Sequence, residues 1–309
     1  MKLLEMLKYR RPEGSASQKI FCNRFLKPVM GTPDEFGNYI HIVGDKPNIA
    51  FMAHHDTVHN VGGIQKLQVS DKNIVTAPKS DCLGADCTTG VWLILEMIEA
   101  QVPGVYVVHA AEEVGCIGSA ALVKSNPDWL QNIDAAISFD RYGTNSIITH
   151  QMSRRTASDD FAHSLADTLN LPLEPDTGGS FTDSNEYADI VSECTNVSVG
   201  YYNQHTSKES QDLEFAHELR DALICADFSN LVFSRDPSIK EYDDWDYYGS
   251  FRSNKRDQYD TYDLQSIVYH FPEEVAELLE NQGIEPDDLL EMIGMGPREP
   301  RLQNLGEVA

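Results

Sequence analysis

From about residue 38 to 235 the chain alternates two periods. Short apolar runs rich in β-branched and aromatic residues are separated by stretches whose apolar residues recur every three or four positions. That alternation predicts strands interleaved with helices, and so an α/β domain built around a largely buried sheet. Strands are expected over 39–44, 49–55, 105–111, 135–140, 146–151 and 196–202, and helices over 87–100, 119–125, 158–170 and 212–233. Ser158 followed by Asp159 and Asp160 is a helix start. IQKLQV and NIVTA, between Val58 and Ala77, read as a hairpin-like excursion.

Beyond Arg235 the pattern stops. Residues 236–309 hold 18 acidic and 6 basic side chains, a net of −12, first in a Tyr- and Asp-rich stretch and then in a segment able to form two short helices. The expected organisation is a catalytic domain over 1–235 and an acidic linker with a small helical C-terminal extension over 236–309. A formal charge of −25 over 309 residues argues against nucleic acid or an anionic membrane as partner, because both need a basic surface. The N-terminal apolar stretch is broken by Glu5 and Lys8 and does not read as a secretory signal, and no run approaches a membrane span. Cytoplasmic residence is the expectation, and the six scattered cysteines read as reduced structural thiols.

The constraint on function is where acids and histidines fall. His54 and Asp56 close one strand in AHHDTV, and Asp86 opens a helix in LGADCTTGV. Glu112 and Glu113 follow the strand VYVVH, Asp140 ends AISFD, and His205 follows NVSVGYY. Each alone is an ordinary polar strand end or helix cap. Together they place five candidate ligands, His54, Asp86, Glu113, Asp140 and His205, at strand ends and helix starts, where open α/β sheets build their sites. A carboxylate such as Asp86 can bridge two cations about 3.5 to 4 Å apart. The N/O donor set suits a zinc pair, with manganese or cobalt as alternatives. Adjacent acids on extended backbone point opposite ways, so one of Glu112 and Glu113 can bind metal while the other reaches a metal-bound water.

These segments resemble the zinc-dependent exopeptidase superfamily of co-catalytic two-zinc metallopeptidases. The matches are H-x-D at His54 and Asp56, G-A-D-x-x-T-G-V at 84–91, E-E-x-G at 112–115, Asp140 at a strand end and H-T-x-x-E at 205–209, all in family order over roughly residues 20–235. The resemblance implies a three-layer αβα fold with a central mixed, mostly parallel sheet. It makes His54 and Asp140 terminal ligands, Asp86 the bridge, Glu113 and His205 ligands of the other of two Zn²⁺ ions, Glu112 the general base and Asp56 the group that orients His54. The 65 residues from Asp140 to His205 leave no room for the inserted domain of the tripeptidase and aminoacylase branch, which favours the compact aminopeptidase branch. Asp183, in the Gly-rich segment GGSFTDS, is placed near the ligands or the substrate. Cys87 departs from the Asp or Asn that many relatives carry there.

The resemblance therefore implies a metallopeptidase, in first place an aminopeptidase acting on a peptide or aminoacyl substrate, with a homo-oligomer left open. The alternatives are a deacylase or dipeptidase, a one-zinc enzyme of cyclising acyl transfer, and a non-catalytic metal- or partner-binding protein on the same fold. His55 and His59 are expected behind the site or facing solvent, and His109, His150 and His163 to be structural.

Overall fold

The computed structural model describes residues 2–241 and, singly, Val275, Leu278, Leu279 and Leu289. The chain divides into two compact units, Met1–Asp244 and Trp245–Ala309. The extension expected after residue 236 lies almost wholly outside the described residues. Among these, no helix is long and apolar enough to cross a membrane.

The first unit is organised by a seven-stranded mixed sheet. Its strands are β1 (Tyr39–Val43), β2 (Ile49–His54), β3 (Gly104–His109), β4 (Ala135–Arg141), β5 (Ser146–Ile148), β6 (Glu174–Asp176) and β7 (Glu193–Ser198). They are ordered β6-β5-β7-β4-β2-β3-β1. The pairs β7–β4, β4–β2, β2–β3 and β6–β5 are parallel, and β1–β3 and β5–β7 antiparallel. All six residues of β2 and of β3 are buried, as expected for strands covered on both faces.

Alternate residues separate two cores. Phe51, Ala53, Tyr106, Val108, Ile137 and Phe139 face a layer that contains α1 (Ala85–Glu99). Ala50, Met52, Val105, Val107 and Ala136 face the other layer, with Leu122 of α2 (Ile117–Ser125) and Tyr187, Ala188 and Val191 beyond the short helix Asp183–Glu186. The first layer is completed by α3 (Asp159–Leu169) and α4 (Leu213–Cys225). The result is three layers, αβα. Gly90 lets α1 lie directly on the sheet, since a Cβ there would collide with the Phe139 carbonyl.

Two elements differ from their expected bounds for identifiable reasons. The strand expected over 196–202 begins at Glu193, its period concealed because Glu193, Thr195, Asn196 and Ser198 are polar yet buried. It stops at Ser198, and Gly200, at φ +90°, separates it from the short strand Tyr201–Tyr202. The helix expected over 212–233 ends at Cys225, where Ala226 turns to extended backbone and Asp227 accepts the Ser229 N–H to start a separate turn. The excursion does form a hairpin, Gln68–Val69 against Ile74–Thr76, extended by Ser210–Asp212 and Tyr201–Tyr202 into a four-stranded sheet.

Helices at Lys2–Met6 and across residues 16–30 carry no reading from the sequence. They frame Arg11, which is fully buried. Its Nε donates to the His55 carbonyl and its Nη2 to Thr88 Oγ1, both at 2.9 Å, while the guanidinium lies 4.0 Å over the Phe21 ring.

Candidate active site

In the sheet order β2 lies between β3 and β4. The chain passes from β2 through α1 to β3 on one side, then through α2 to β4 on the other. Strand order therefore reverses at β2, which opens a crevice at the carboxyl ends of these three strands. His54 is the last residue of β2, Asp140 the penultimate residue of β4, and Asp86 the second residue of α1. Glu112 and Glu113 follow β3. His205 lies in the loop between Tyr201–Tyr202 and Ser210–Asp212.

The fold brings all five together. Asp86 divides its carboxylate, with Oδ1 3.1 Å from His54 Nε2 and Oδ2 3.1 Å from His205 Nε2. Asp140 Oδ1 lies 3.4 Å from the same His54 nitrogen, and Glu113 Oε2 lies 3.2 Å from His205 Nε2. These separations approach the edge of a tetrahedron with ligand bonds near 2.0–2.2 Å, which is roughly 3.4 Å. Glu112 Oε2 stands further off, 3.8 Å from His54 Nε2. Asp86, Glu113 and His205 offer donor atoms mutually within 4.8 Å, and so do His54, Glu112 and Glu113.

Glu112 and Glu113 are not on extended backbone as expected. β3 ends at His109, Ala111 takes φ +59°, and the Glu112 carbonyl accepts the N–H groups of Gly115 and Cys116 in a turn. What separates the two side chains is this turn, and Asp56 holds it. Asp56 is fully buried, with Oδ1 3.3 Å from His54 Nδ1, and it accepts the N–H of Glu112 at 3.2 Å and of Glu113 at 3.0 Å. Asp140 is fixed at several points. Thr182 Oγ1 donates to its Oδ2 at 2.9 Å, Asn196 Oδ1 accepts its N–H at 2.9 Å, and Tyr201 OH donates to its carbonyl at 3.0 Å.

The electrostatics show a site short of positive charge. Burial and Asp86 push Asp140 up to about 6 and Glu113 up to about 7. Burial raises Glu112 well above its ordinary range against the pull of His54. It lifts Asp183 to about 8, although Ser119 donates a hydrogen bond at 2.6 Å. Burial alone would lower His205, but Asp86 and Glu113 push it up to about 11. Glu113 Oε1 and Asp140 Oδ1 are buried without a hydrogen bond. Buried carboxylates lacking partners either take up protons or hold a cation, and metal binding displaces such protons. The donor set thus fits divalent metal. Cys87 stands beside His54 and Asp140, but burial raises its thiol well above the ordinary range and its Sγ donates to the Phe139 carbonyl.

Neither His55 nor His59 faces solvent. His55 packs between Gly37 O and Gln18 Nε2. His59 is grouped with Asp81 and Cys82, yet both its nitrogens are engaged, by Thr57 Oγ1 at 2.8 Å and Gln65 Oε1 at 3.2 Å, so that grouping has no imidazole nitrogen free for a metal. His109 and His150 are buried, and His163 is exposed. Sequence reasoning missed Arg11 and the role of Glu209. The signal for Glu209 was present, an acid four positions after His205. Beyond the acidic cluster the cleft is lined by Arg141, Tyr142, Ser180, Phe181, Tyr201 and Gln204.

Residues 38–187 match the sequence profile of peptidase family M28. No curated protein matches the chain. Among solved structures the fold is similar to aminopeptidase PepT from Bacillus cereus, at 14% identity and a TM-score of 0.57, over 72% of this chain and 95% of that one. A tripeptidase from Staphylococcus aureus aligns at 15% identity and a TM-score of 0.59, over 72% and 95%. A Pyrococcus horikoshii TET1 peptidase, which can assemble into a tetrahedron or a large octahedral shell, aligns at 16% identity and a TM-score of 0.57, over 72% and 98%.

Proposed function

We propose, for a chain that belongs to the zinc-dependent exopeptidase superfamily, that it is a two-metal aminopeptidase whose catalytic domain spans residues 1–235. The observation that carries this reading is the divided Asp86 carboxylate, one oxygen toward His54 and the other toward His205, with Glu112 beside them.

His54, Asp86 and Asp140 would hold one zinc ion, and Asp86, Glu113 and His205 the other. Metal held there would supply Lewis acidity, lowering the pKa of the attacking water toward neutrality and polarising the substrate carbonyl. Glu112 takes the proton from that water as it attacks the carbonyl, then delivers it to the departing amine, so one carboxylate serves as base and acid in turn. Asp56 keeps His54 Nε2 turned toward the cluster and anchors the turn that carries Glu112, coupling ligand orientation to base placement. Asp140 is held by Thr182, Asn196 and Tyr201, which fixes its carboxylate before substrate arrives. The substrate is a peptide or aminoacyl compound lying in the cleft beside Tyr142 and Phe181.

The test is metal content together with hydrolysis of unblocked and N-blocked aminoacyl amides, comparing the native protein with Glu112→Gln. The expected result is two metals per chain in both proteins, cleavage of unblocked substrates, and a loss of kcat of about 10²–10⁴-fold in the variant. Preference for N-blocked substrates would make it a deacylase, and metal without turnover on any amide would make it a binding protein.

A further inference from the structure

Glu209 ends the loop that carries His205 and reaches back across the sequence to the start of α1. Its Oε2 accepts the N–H groups of Leu83 and Gly84, each at 2.9 Å. Its Oε1 accepts those of Ala85 at 2.8 Å and Asp86 at 3.2 Å. The residue is 1% exposed. A carboxylate so buried is tolerable because four N–H dipoles at a helix start surround it.

Two features set this apart from helix capping alone. First, the helix does not hold Asp86. Asp86 (φ −75°, ψ 104°) and Cys87 (φ −113°, ψ 41°) lie outside helical backbone, and Gly84, at the cap position with φ +70°, has no side chain with which to cap. The Asp86 N–H is held instead by Glu209. Second, the same residue fixes the far end of the His205 loop. Its own N–H donates to Thr206 O at 3.0 Å, Thr206 Oγ1 donates to Asn203 O at 2.7 Å, and His205 sits between them at φ +61°. One residue thus ties together the backbones on both sides of the contact between Asp86 Oδ2 and His205 Nε2, through its carboxylate on one side and its own N–H on the other. His54 and Asp140 need no such tie, since both belong to adjacent strands of the sheet.

We propose that Glu209 is a positioning residue for the second metal: it holds Asp86 and His205 in register with each other, and so decides between two-metal and one-metal occupancy. This rests on the two-metal reading above. Zn²⁺ titrated into chelator-stripped protein against a chromophoric competitor tests it, on the native chain, Glu209→Gln, Glu209→Ala and the control Thr89→Val. Thr89 Oγ1 donates to Gln211 Oε1 at the same junction of strand and helix. Glutamine is isosteric and keeps one acceptor oxygen, so it provides a folded variant should alanine not. In both Glu209 variants the first zinc should bind within about threefold of native and the second at least about tenfold more weakly. Thr89→Val should lower the melting temperature and leave both affinities unchanged. Unchanged affinities in Glu209→Gln, or two affinities falling in parallel with stability as a generic packing defect would give, overturn the assignment. Two zinc ions on the native chain with such a result leave the enzymatic reading standing, whereas fewer than two on the native chain overturn both.

Discussion

The two halves of the cluster are built by different means. His54 and Asp140 come from β2 and β4, paired strands in the middle of a sheet covered on both faces, and the His54 side chain is wholly buried. His205 comes from a loop, takes a left-handed φ of +61°, and is 48% exposed. The same donor chemistry is thus prepared once by the sheet and once by a loop with a tether. A half fixed by the sheet has its geometry set by folding itself, whereas a half carried on a loop must be fixed by added contacts, here those of Asp56 and Glu209. Local stability follows the same division, because segments with few buried contacts open first.

The largest separation of the halves should come from removing one histidine from each. His54→Ala leaves Asp56, Asp86 and Asp140 buried without their common partner. It should destabilise the metal-free protein by about 3 kcal/mol and abolish binding of the first metal. His205→Ala, cut from an exposed loop, should change metal-free stability by no more than about 0.5 kcal/mol and lose the second metal alone. Urea unfolding of the chelator-treated proteins, with zinc content measured in parallel, gives both quantities. Equal destabilisation by the two substitutions would break the comparison.

Metal removal should produce a smaller but spatially resolved difference. In hydrogen exchange, the amides of residues 203–209 should exchange about tenfold faster after chelation, as the link between His205 and Asp86 is lost. Those of β2 and β4 should be unchanged, because their protection comes from the sheet. Acceleration spread evenly over the three segments would show that the metals, rather than the sheet, organise both halves.

The sheet-held half was also the more legible in sequence. β2 and β4 are continuous apolar runs ending in His54 and Asp140, so period and position pointed to the same place. The G-A-D-x-x-T-G-V segment could be read as a helix start, and the structure gives its glycines physical roles, a left-handed backbone at Gly84 and close contact with the sheet at Gly90. What stayed hidden depends on contacts between distant residues. Nothing local to Glu209 shows that its partners lie at 83–86, and nothing local to Arg11 shows that it links His55 to Thr88. β7 was misplaced at its start because buried polar residues carry no hydrophobic period. The pairing of Glu112 and Glu113 was anticipated, but the turn that orients them was not, because it depends on Asp56, more than fifty positions earlier.

The finest test uses His109, which stands beside His54 in the register of β3 against β2 and so belongs to the sheet-held half. Its Nδ1 is 3.2 Å from Asn38 Oδ1 and its Nε2 3.2 Å from Tyr187 OH. Asn38 Nδ2 already donates to Asp34 and Gly118, which fixes its Oδ1 as acceptor toward His109, so Nδ1 carries the proton and Nε2 accepts from the tyrosine. Burial, followed by the nearby His54 and His55, lowers this imidazole to about 3. The unfolded chain titrates near its ordinary value of roughly 6.5, so between these values the unfolded state holds a proton that the folded state refuses. Its contribution is therefore complete above about 6.5 and is lost as pH falls, by up to ~1.4 kcal/mol per pH unit. His109→Gln, which cannot titrate, should show a shallower decline than the native chain between pH 6.5 and 5, by about 1 kcal/mol per unit, when both are unfolded in urea with chelator present. Parallel slopes would mean that His109 takes up its proton without unfolding the sheet, and that the buried half is softer than its packing implies.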